Sequence, residues 1–219
     1  MNRPFIIIAL TALALSGCGS SDSGSTSGDS VPSGTYSVDP SHTYLTFSYL
    51  HQGLSYPLLR ATNINGELDY DAANISNSVV SVSVAADSIR TNIDHFDKEL
   101  ASRKFFNTEK YPHITFTTDS YAAINDSEGV LSGRVTIRNI TKPLELAVTL
   151  NAAMIHPMLD IPVIGFSASG SLSRSDFGLD RFVPVVSDTV VLNIETEFLL
   201  GSNDESSAAA MQARAASAE

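Results

Sequence analysis

Residues 89–116 read IRTNIDHFDKELASRKFFNTEKYPHITF, and they hold the one convincing helical pattern beyond the N-terminal segment. Ile89, Ile93, Phe96 and Leu100 recur three or four positions apart, which places them on one face of a helix. Thr91, followed three residues later by Asp94, predicts the helix start, because a hydroxyl can accept orphan amide protons and a carboxylate suits the first turn. Pro112, ahead of the alternating His-Ile-Thr-Phe-Thr run, marks the return to strand. A lone short helix among strands needs an apolar surface to cover, and a closed barrel offers its open end.

Working outward, eight long runs read as strands: 43–51, 61–70, 78–86, 113–121, 130–138, 143–154, 163–174 and 189–200, with Tyr36-Ser37-Val38 as a short lead-in. Turn signals separate them, among them Asn74 to Asn77, Asn125-Asp126-Ser127 and the Pro-bounded stretch from His156 to Pro162. Leu144, Leu146, Val148 and Leu150 share one face against Glu145, Ala147 and Thr149. Val80, Val82 and Val84 alternate with Ser81 and Ser83, and Val190, Leu192, Ile194 and Phe198 oppose Asn193, Glu195 and Glu197. One wet and one apolar face is the mark of antiparallel sheet. The fold expected is all-β: an eight-stranded antiparallel barrel with one short helix closing an end, its lumen either filled by side chains or holding one slim ligand.

The chain has 219 residues, 43% of them hydrophobic, and 13 Lys+Arg stand against 24 Asp+Glu for a formal net charge of −11. That balance argues against nucleic acid, which needs clustered cations, and against a polybasic membrane-surface site. The N-terminal segment reads as an export signal over residues 1–17: Arg3, then the apolar run from Phe5 to Leu15, then small residues. The run is short of the ~20 residues a membrane span needs. Leu15-Ser16-Gly17-Cys18 resembles the bacterial lipoprotein lipobox. The resemblance implies lipidation of Cys18, the single cysteine, and, with no Asp after it, an outer-membrane lipoprotein facing the periplasm. Residues 18–33 are Ser/Gly/Asp-rich and read as a flexible tether, residues 34–200 as the barrel, and residues 201–219 as a disordered Ala/Ser/Glu tail.

Five segments stand in a characteristic order: YSVDPSHTYLTF at 36–47, His51, FFNTEKYPHITF at 105–116, RVTIRNITKPLEL at 134–146 and RSDFGL at 174–179. Together they resemble the bacterial YceI-like family across the whole globular part. The resemblance implies a lipocalin-like antiparallel barrel, exported to the periplasm, that encloses a polyisoprenoid, a quinone-like lipid or another long amphiphile and has no assigned catalytic apparatus. Two departures appear. The stretch 96–100 lacks the Arg and His found there in the family, and Asn139 replaces the turn Gly, where Asn can take the left-handed conformation.

The residues themselves point to the same ligand class. The candidate lining comprises Phe47, Phe105, Phe106, Phe116, Phe166, Phe177 and Phe182, joined by Ile93, Phe96, Leu100 and Ile114. A prenyl or acyl chain gains ~0.8 kcal/mol per buried CH2, so polar groups are needed only at the mouth, for a headgroup. No two of the five His have the spacing of a metal site, and His42 is expected to tie the first turn to the barrel. Gly165 to Gly170 fails as a nucleophile elbow because its fifth residue is Ser169. Arg174 and Asp176 are expected to pair in a turn. Three readings follow: a lipid-binding module, an envelope stress or interaction protein with a packed barrel, and a lipid hydrolase needing a His–carboxylate pair on a cavity.

Overall fold

The structure is a computed structural model and describes residues 31–201. The lipidation site at Cys18, the export signal, most of the tether and the tail beyond residue 201 lie outside the described residues. Within them run β1 (Gly34–Val38), β2 (Tyr44–Ser48), β3 (Leu58–Ala61), β4 (Ile64–Tyr70), β5 (Val79–Ala85), β6 (Ile89–Arg90), β7 (His113–Ala123), β8 (Glu128–Ile137), β9 (Ile140–Ile155), β10 (Pro162–Ser173) and β11 (Thr189–Leu200), with one α-helix, α1 (Asp94–Ala101), between β6 and β7.

The strands close as β1-β4-β5-β7-β8-β9-β10-β11 and back to β1, with antiparallel pairing throughout. β2 continues the line of β1 along the same edge of β11: Val38 faces Phe198 and Tyr44 faces Glu195. β3 pairs with β2 while β4 pairs with β1, and β6 pairs with β3 while β5 pairs with β4. The barrel is therefore eight staves, three of them broken in two. The run expected as one strand over 61–70 divides at Thr62 and Asn63. Ser88, itself buried, fixes that break: its Oγ accepts from the Thr62 amide at 3.3 Å and the Asn63 amide at 3.1 Å. The lead-in at Tyr36 is the first half of a stave that β2 completes, and it closes the ring.

Alternation explains why the ring encloses a core. The apolar faces picked out on β5, β9 and β11 all point inward, and the intervening Ser, Glu and Asn residues point out. Full closure also leaves no unpaired edge in the ring. The two ends differ. The base is packed: Val31, Tyr36, Tyr70, Ile164 and Phe198 form one buried cluster. The Tyr36 hydroxyl donates to the Pro32 carbonyl at 2.7 Å, and its ring meets Tyr70 edge-on at 5.9 Å. Burial, reinforced by the neighbouring Tyr70, pushes Tyr36 up to about 12. Val31 and Pro32 thus belong to the barrel, a correction to a tether running as far as residue 33.

The opposite end is the mouth. Here β6 is the last strand of the β2-β3-β6 extension, and residues 91–112, including α1, fill the space between β6 and β7. The β8–β9 hairpin turns here through Arg138 and Asn139. The left-handed residue of that turn is Arg138, with φ 60°, rather than Asn139.

Candidate functional site: an apolar cavity and its cover

Inside the ring lies a cavity of about 670 Å³. That is in the range of small-molecule sites, about 300–1,000 Å³. Its wall is almost wholly hydrocarbon and aromatic, drawn from every stave. Polar groups come to it mainly at the mouth, where Tyr49, His51, Thr91, Arg174 and Arg181 contribute, and at the base, where Ser78, Tyr121 and Asp126 do.

Of the residues expected to line it, Phe47, Ile93, Phe96, Leu100, Phe105, Phe106, Ile114, Phe116, Phe166 and Phe182 do so. Phe177 does not. It is fully buried and packs into the wall with Val135, Ile137, Leu144 and Leu179, behind the cavity surface. Phe182 lines the cavity only at its rim, with 57% of its surface exposed. Phe116 owes its position to a glycine: a Cβ on Gly133 would stand 2.5 Å from the Phe116 ring and from the Thr117 carbonyl oxygen. The tip of the ring occupies the space that the missing side chain leaves.

The cover is built on α1. Ile89 and Leu100 are buried with Leu59, and Phe47, Tyr49, Phe96, Phe105, Phe106 and Ile114 pack on them. Of the apolar stripe read from the sequence, only Phe96 and Leu100 stand on the helix; Ile89 lies on β6, and Ile93 precedes α1 with 47% of its surface exposed. The helix start differs from expectation. Thr91 does not cap the helix; its cap residue is Ile93, which has no side-chain capping bond. Asn92 takes a left-handed conformation, φ 65°, so the chain reverses between Thr91 and the helix. The Thr91 hydroxyl and amide instead donate to Asp97 Oδ1 at 2.6 and 2.8 Å. The Thr91 hydroxyl bond holds the Asp97 carboxyl below the usual range. At the far end of α1 the Ser102 hydroxyl donates to the Glu99 carbonyl at 2.6 Å, and the Phe106 amide to the Leu100 carbonyl at 2.9 Å, so both Phe105 and Phe106 are turned back to the barrel.

A second cover element is the segment 178–188. Arg174 organises it by donating to the carbonyls of Leu179, Arg181 (2.8 Å), Val186 (3.0 Å) and Ser187 (2.8 Å). The expected pairing with Asp176 is not what positions this side chain. Asp188 closes the same turn by accepting from the Ser175 amide and hydroxyl at 2.8 and 2.6 Å. Burial lowers the Arg174 pKa, against the pull of Asp188, and burial raises Tyr49 nearby, which Arg174 opposes. Arg174 and Tyr49 escaped the list of candidate site residues, because nothing in side-chain type announces an arginine whose partners are backbone carbonyls.

His51 and His42 stand in different settings. His51 lines the cavity at the mouth. His42 sits on the outer face, where its Nδ1 meets Asp39 Oδ2 at 2.6 Å and approaches Glu197 Oε2 at 4.0 Å. Asp39 also accepts from the Ser41 amide at 2.8 Å, and its own amide donates to the Glu197 carbonyl at 2.8 Å. The bond from Asp39 raises the His42 pKa. These three residues bring ligand-type atoms together within 4.8 Å, and their bonds tie the β1–β2 bend to β11, the role expected of His42. Among the described residues this is the His–carboxylate pairing, and it faces solvent rather than the cavity.

The fold and cavity define a class: closed, lipocalin-like antiparallel barrels with a hydrocarbon-lined interior. The YceI-like domain matches residues 36–198, and the chain belongs to that family. A UPF0312 protein of Shewanella baltica (strain OS185) is 30% identical over 160 residues, which are 71% of this chain and 81% of that protein. The crystal structure of a Campylobacter jejuni YceI protein is similar with a TM-score of 0.62 at 28% identity, covering 67% of this chain and 86% of that one. A polyisoprenoid binding domain from Saccharophagus degradans, implicated in plant cell wall breakdown, shares the fold with a TM-score of 0.57 at 16% identity, covering 75% of this chain and 98% of that one.

Proposed function

We propose that this chain binds a long-chain isoprenoid or similar amphiphilic lipid inside its barrel, for storage, transport or sequestration, and that it does so as an outer-membrane lipoprotein facing the periplasm. The observation that carries the binding reading is the apolar cavity of about 670 Å³. A barrel acting only through its surface would have no need to keep such a volume unfilled, because an empty apolar void forfeits dispersion contacts. The Saccharophagus domain, described as polyisoprenoid binding, supports the ligand class. The solvent-facing position of the His42–Asp39 pair speaks against the hydrolase reading. The address rests on Leu15-Ser16-Gly17-Cys18.

Native mass spectrometry and solvent extraction of the barrel purified from a bacterial host test the binding reading. A co-purifying amphiphile, or uptake of a prenyl quinone by the stripped protein, is the expected result. A barrel that carries no amphiphile and takes up no prenyl chain overturns it. The address is tested separately: Cys18→Ala should lose palmitate label and membrane fractionation, and retention of both would place the anchor elsewhere.

A further inference from the structure

At the mouth the cavity wall runs out to an apolar rim. Two loops form it side by side: His51 bridges to both Ser55 and Val186, and the Ser187 amide donates to the Leu50 carbonyl at 2.9 Å. Leu54, Tyr56 and Val185 stand out from these loops with 81%, 70% and 63% of their surfaces exposed. None of the three lines the cavity, yet Leu58 and Phe182, close to them along the same two segments, and Ile93 just ahead of α1 are both exposed and part of its wall. The exposed apolar surface is thus continuous with the interior, and large exposed patches of this kind mark interaction sites.

The net charge of −11 conceals a division along the barrel axis. All eleven Lys and Arg of residues 31–201 lie on the mouth half of the staves or in the segments beyond it, from Arg60 and Arg90 through Arg103 and Lys104 to Arg181. The mouth has carboxylates too, among them Asp97, which Thr91 holds by a hydrogen bond, and Glu99, which pairs with Lys104, but they are fewer than the cations there. The base rim carries Asp69, Asp71, Asp126, Glu128 and Asp160 and, among the described residues, no Lys or Arg. Arg181 holds its guanidinium 4.7 Å from the centre of the Phe182 ring, so an apolar ring and a cation stand together on the rim, the pairing that suits a headgroup boundary.

We propose that the mouth docks directly on an anionic phospholipid bilayer, the rim of Leu54, Tyr56, Phe182 and Val185 entering the headgroup–acyl boundary while the acidic base is held away from the surface. The apolar rim supplies adhesion, and the charge division supplies orientation, turning the opening of the cavity toward the lipid. A bilayer fits better than a protein partner because the rim leads straight into a chain-sized hydrocarbon space. The inference rests on the lipid-binding reading above, and its test reports on each separately.

The test uses residues 31–201, which close on themselves through β1 and span the domain that makes up 98% of a solved relative's chain. The barrel is sedimented with vesicles of phosphatidylglycerol and phosphatidylethanolamine, and with phosphatidylcholine vesicles, at low and high salt. Leu54→Asp/Val185→Asp and, at the base, Met158→Asp are compared with it. Prenyl quinone uptake from detergent is measured in parallel. The expected result is preferential binding to the anionic vesicles, weakened by salt, lost by roughly tenfold or more in Leu54→Asp/Val185→Asp and kept in Met158→Asp, with uptake from detergent unchanged in both. Failure of the wild-type barrel to bind vesicles while it still takes up the quinone overturns docking alone. Equal binding by the rim variant, or equal loss in Met158→Asp, overturns it as well. Failure of detergent uptake in all proteins counts against the lipid-binding reading itself.

Discussion

The Thr91 hydroxyl donates to the Asp97 carboxylate at 2.6 Å, and through this bond the chain entering the cover is tied to the middle of the helix that forms it. The same carboxylate oxygen takes the Thr91 amide at 2.8 Å. One side chain thus fixes a reversal that Asn92 makes possible. Asp97→Ala should destabilise the cover by about 1 kcal/mol, the usual net worth of an intramolecular hydrogen bond. Because α1 lies over the mouth, the larger effect should be kinetic. Stopped-flow exchange of a fluorescent prenyl analogue should speed up several-fold with little change in the amount bound. Unchanged exchange would remove α1 from the entry route.

Arg174 makes a different kind of tie, from one guanidinium to four backbone carbonyls of the segment 178–188. Lysine keeps the charge but has no planar fork to reach several carbonyls at once. Arg174→Lys should cost about 2–3 kcal/mol in chemical denaturation, the scale of lost charged hydrogen bonds, and should raise hydrogen exchange across 178–188 ahead of the ring strands. A protection pattern identical to wild type would show that the segment is held by other contacts.

What could be read from the sequence was what depends on periodicity. The alternation on β5, β9 and β11 gave the inner face correctly, and Phe96 and Leu100 gave the inner face of α1, whereas Ile89 falls on β6 and Ile93 ahead of the helix. The breaks in the staves were not legible, because the one at Thr62 is made by Ser88, twenty-five or so positions away, whose hydroxyl oxygen accepts from the Thr62 and Asn63 amides and whose carbonyl accepts from the Thr62 hydroxyl. The helix start was misplaced for a related reason: Thr91 and Asp97 are six residues apart, and only the left-handed Asn92 brings them together. Phe177 was assigned to the lining by residue type alone. Type says that a side chain is inside, but not whether it faces the cavity or the wall behind it.

Gly133 and Phe116 form a seat on β8 and β7. Gly133→Ala would put a methyl against the Phe116 ring and the Thr117 carbonyl. The carbonyl belongs to the sheet and cannot yield, so the variant should lose about 1–3 kcal/mol, the cost of overpacking. The ring can yield only toward the cavity, so bound ligand should decrease as well. Stability and stoichiometry measured on the same sample would separate this from a purely structural role, in which stability falls and stoichiometry does not.

His42 gives the outer latch a pH dependence with a definite sign. Its folded pKa is raised by the bond to Asp39, so the folded state holds the proton more tightly than the unfolded chain. The stabilisation is complete below the ordinary histidine value of about 6.5 and is lost as pH rises through the raised folded value. With 55% of the side chain exposed, solvent screens the pair and the effect is small. In thermal melts, wild type should exceed His42→Asn most near pH 6 and converge with it by about pH 9. A gap that widens with pH would reverse the assignment.

The sharpest separation of a lipid-binding barrel from one that acts only through its surface comes from filling the space. Ala168 lines the cavity at mid-height, opposite Val148 and Ile194 on the neighbouring strands, which also line it. Ala168→Trp would add an indole to volume that is already empty, so the strain of forcing a side chain into a packed core does not arise, and apolar burial offsets much of the loss of side-chain freedom. Ser169, one residue on, is exposed on the outer face, and Ser169→Trp is the matched control. The melting temperature of Ala168→Trp should stay near wild type while prenyl uptake falls by tenfold or more; Ser169→Trp should change neither. If Ala168→Trp folds and still takes up the same amount of ligand, the ligand does not occupy this cavity, and the surface becomes the place to look for what the protein does.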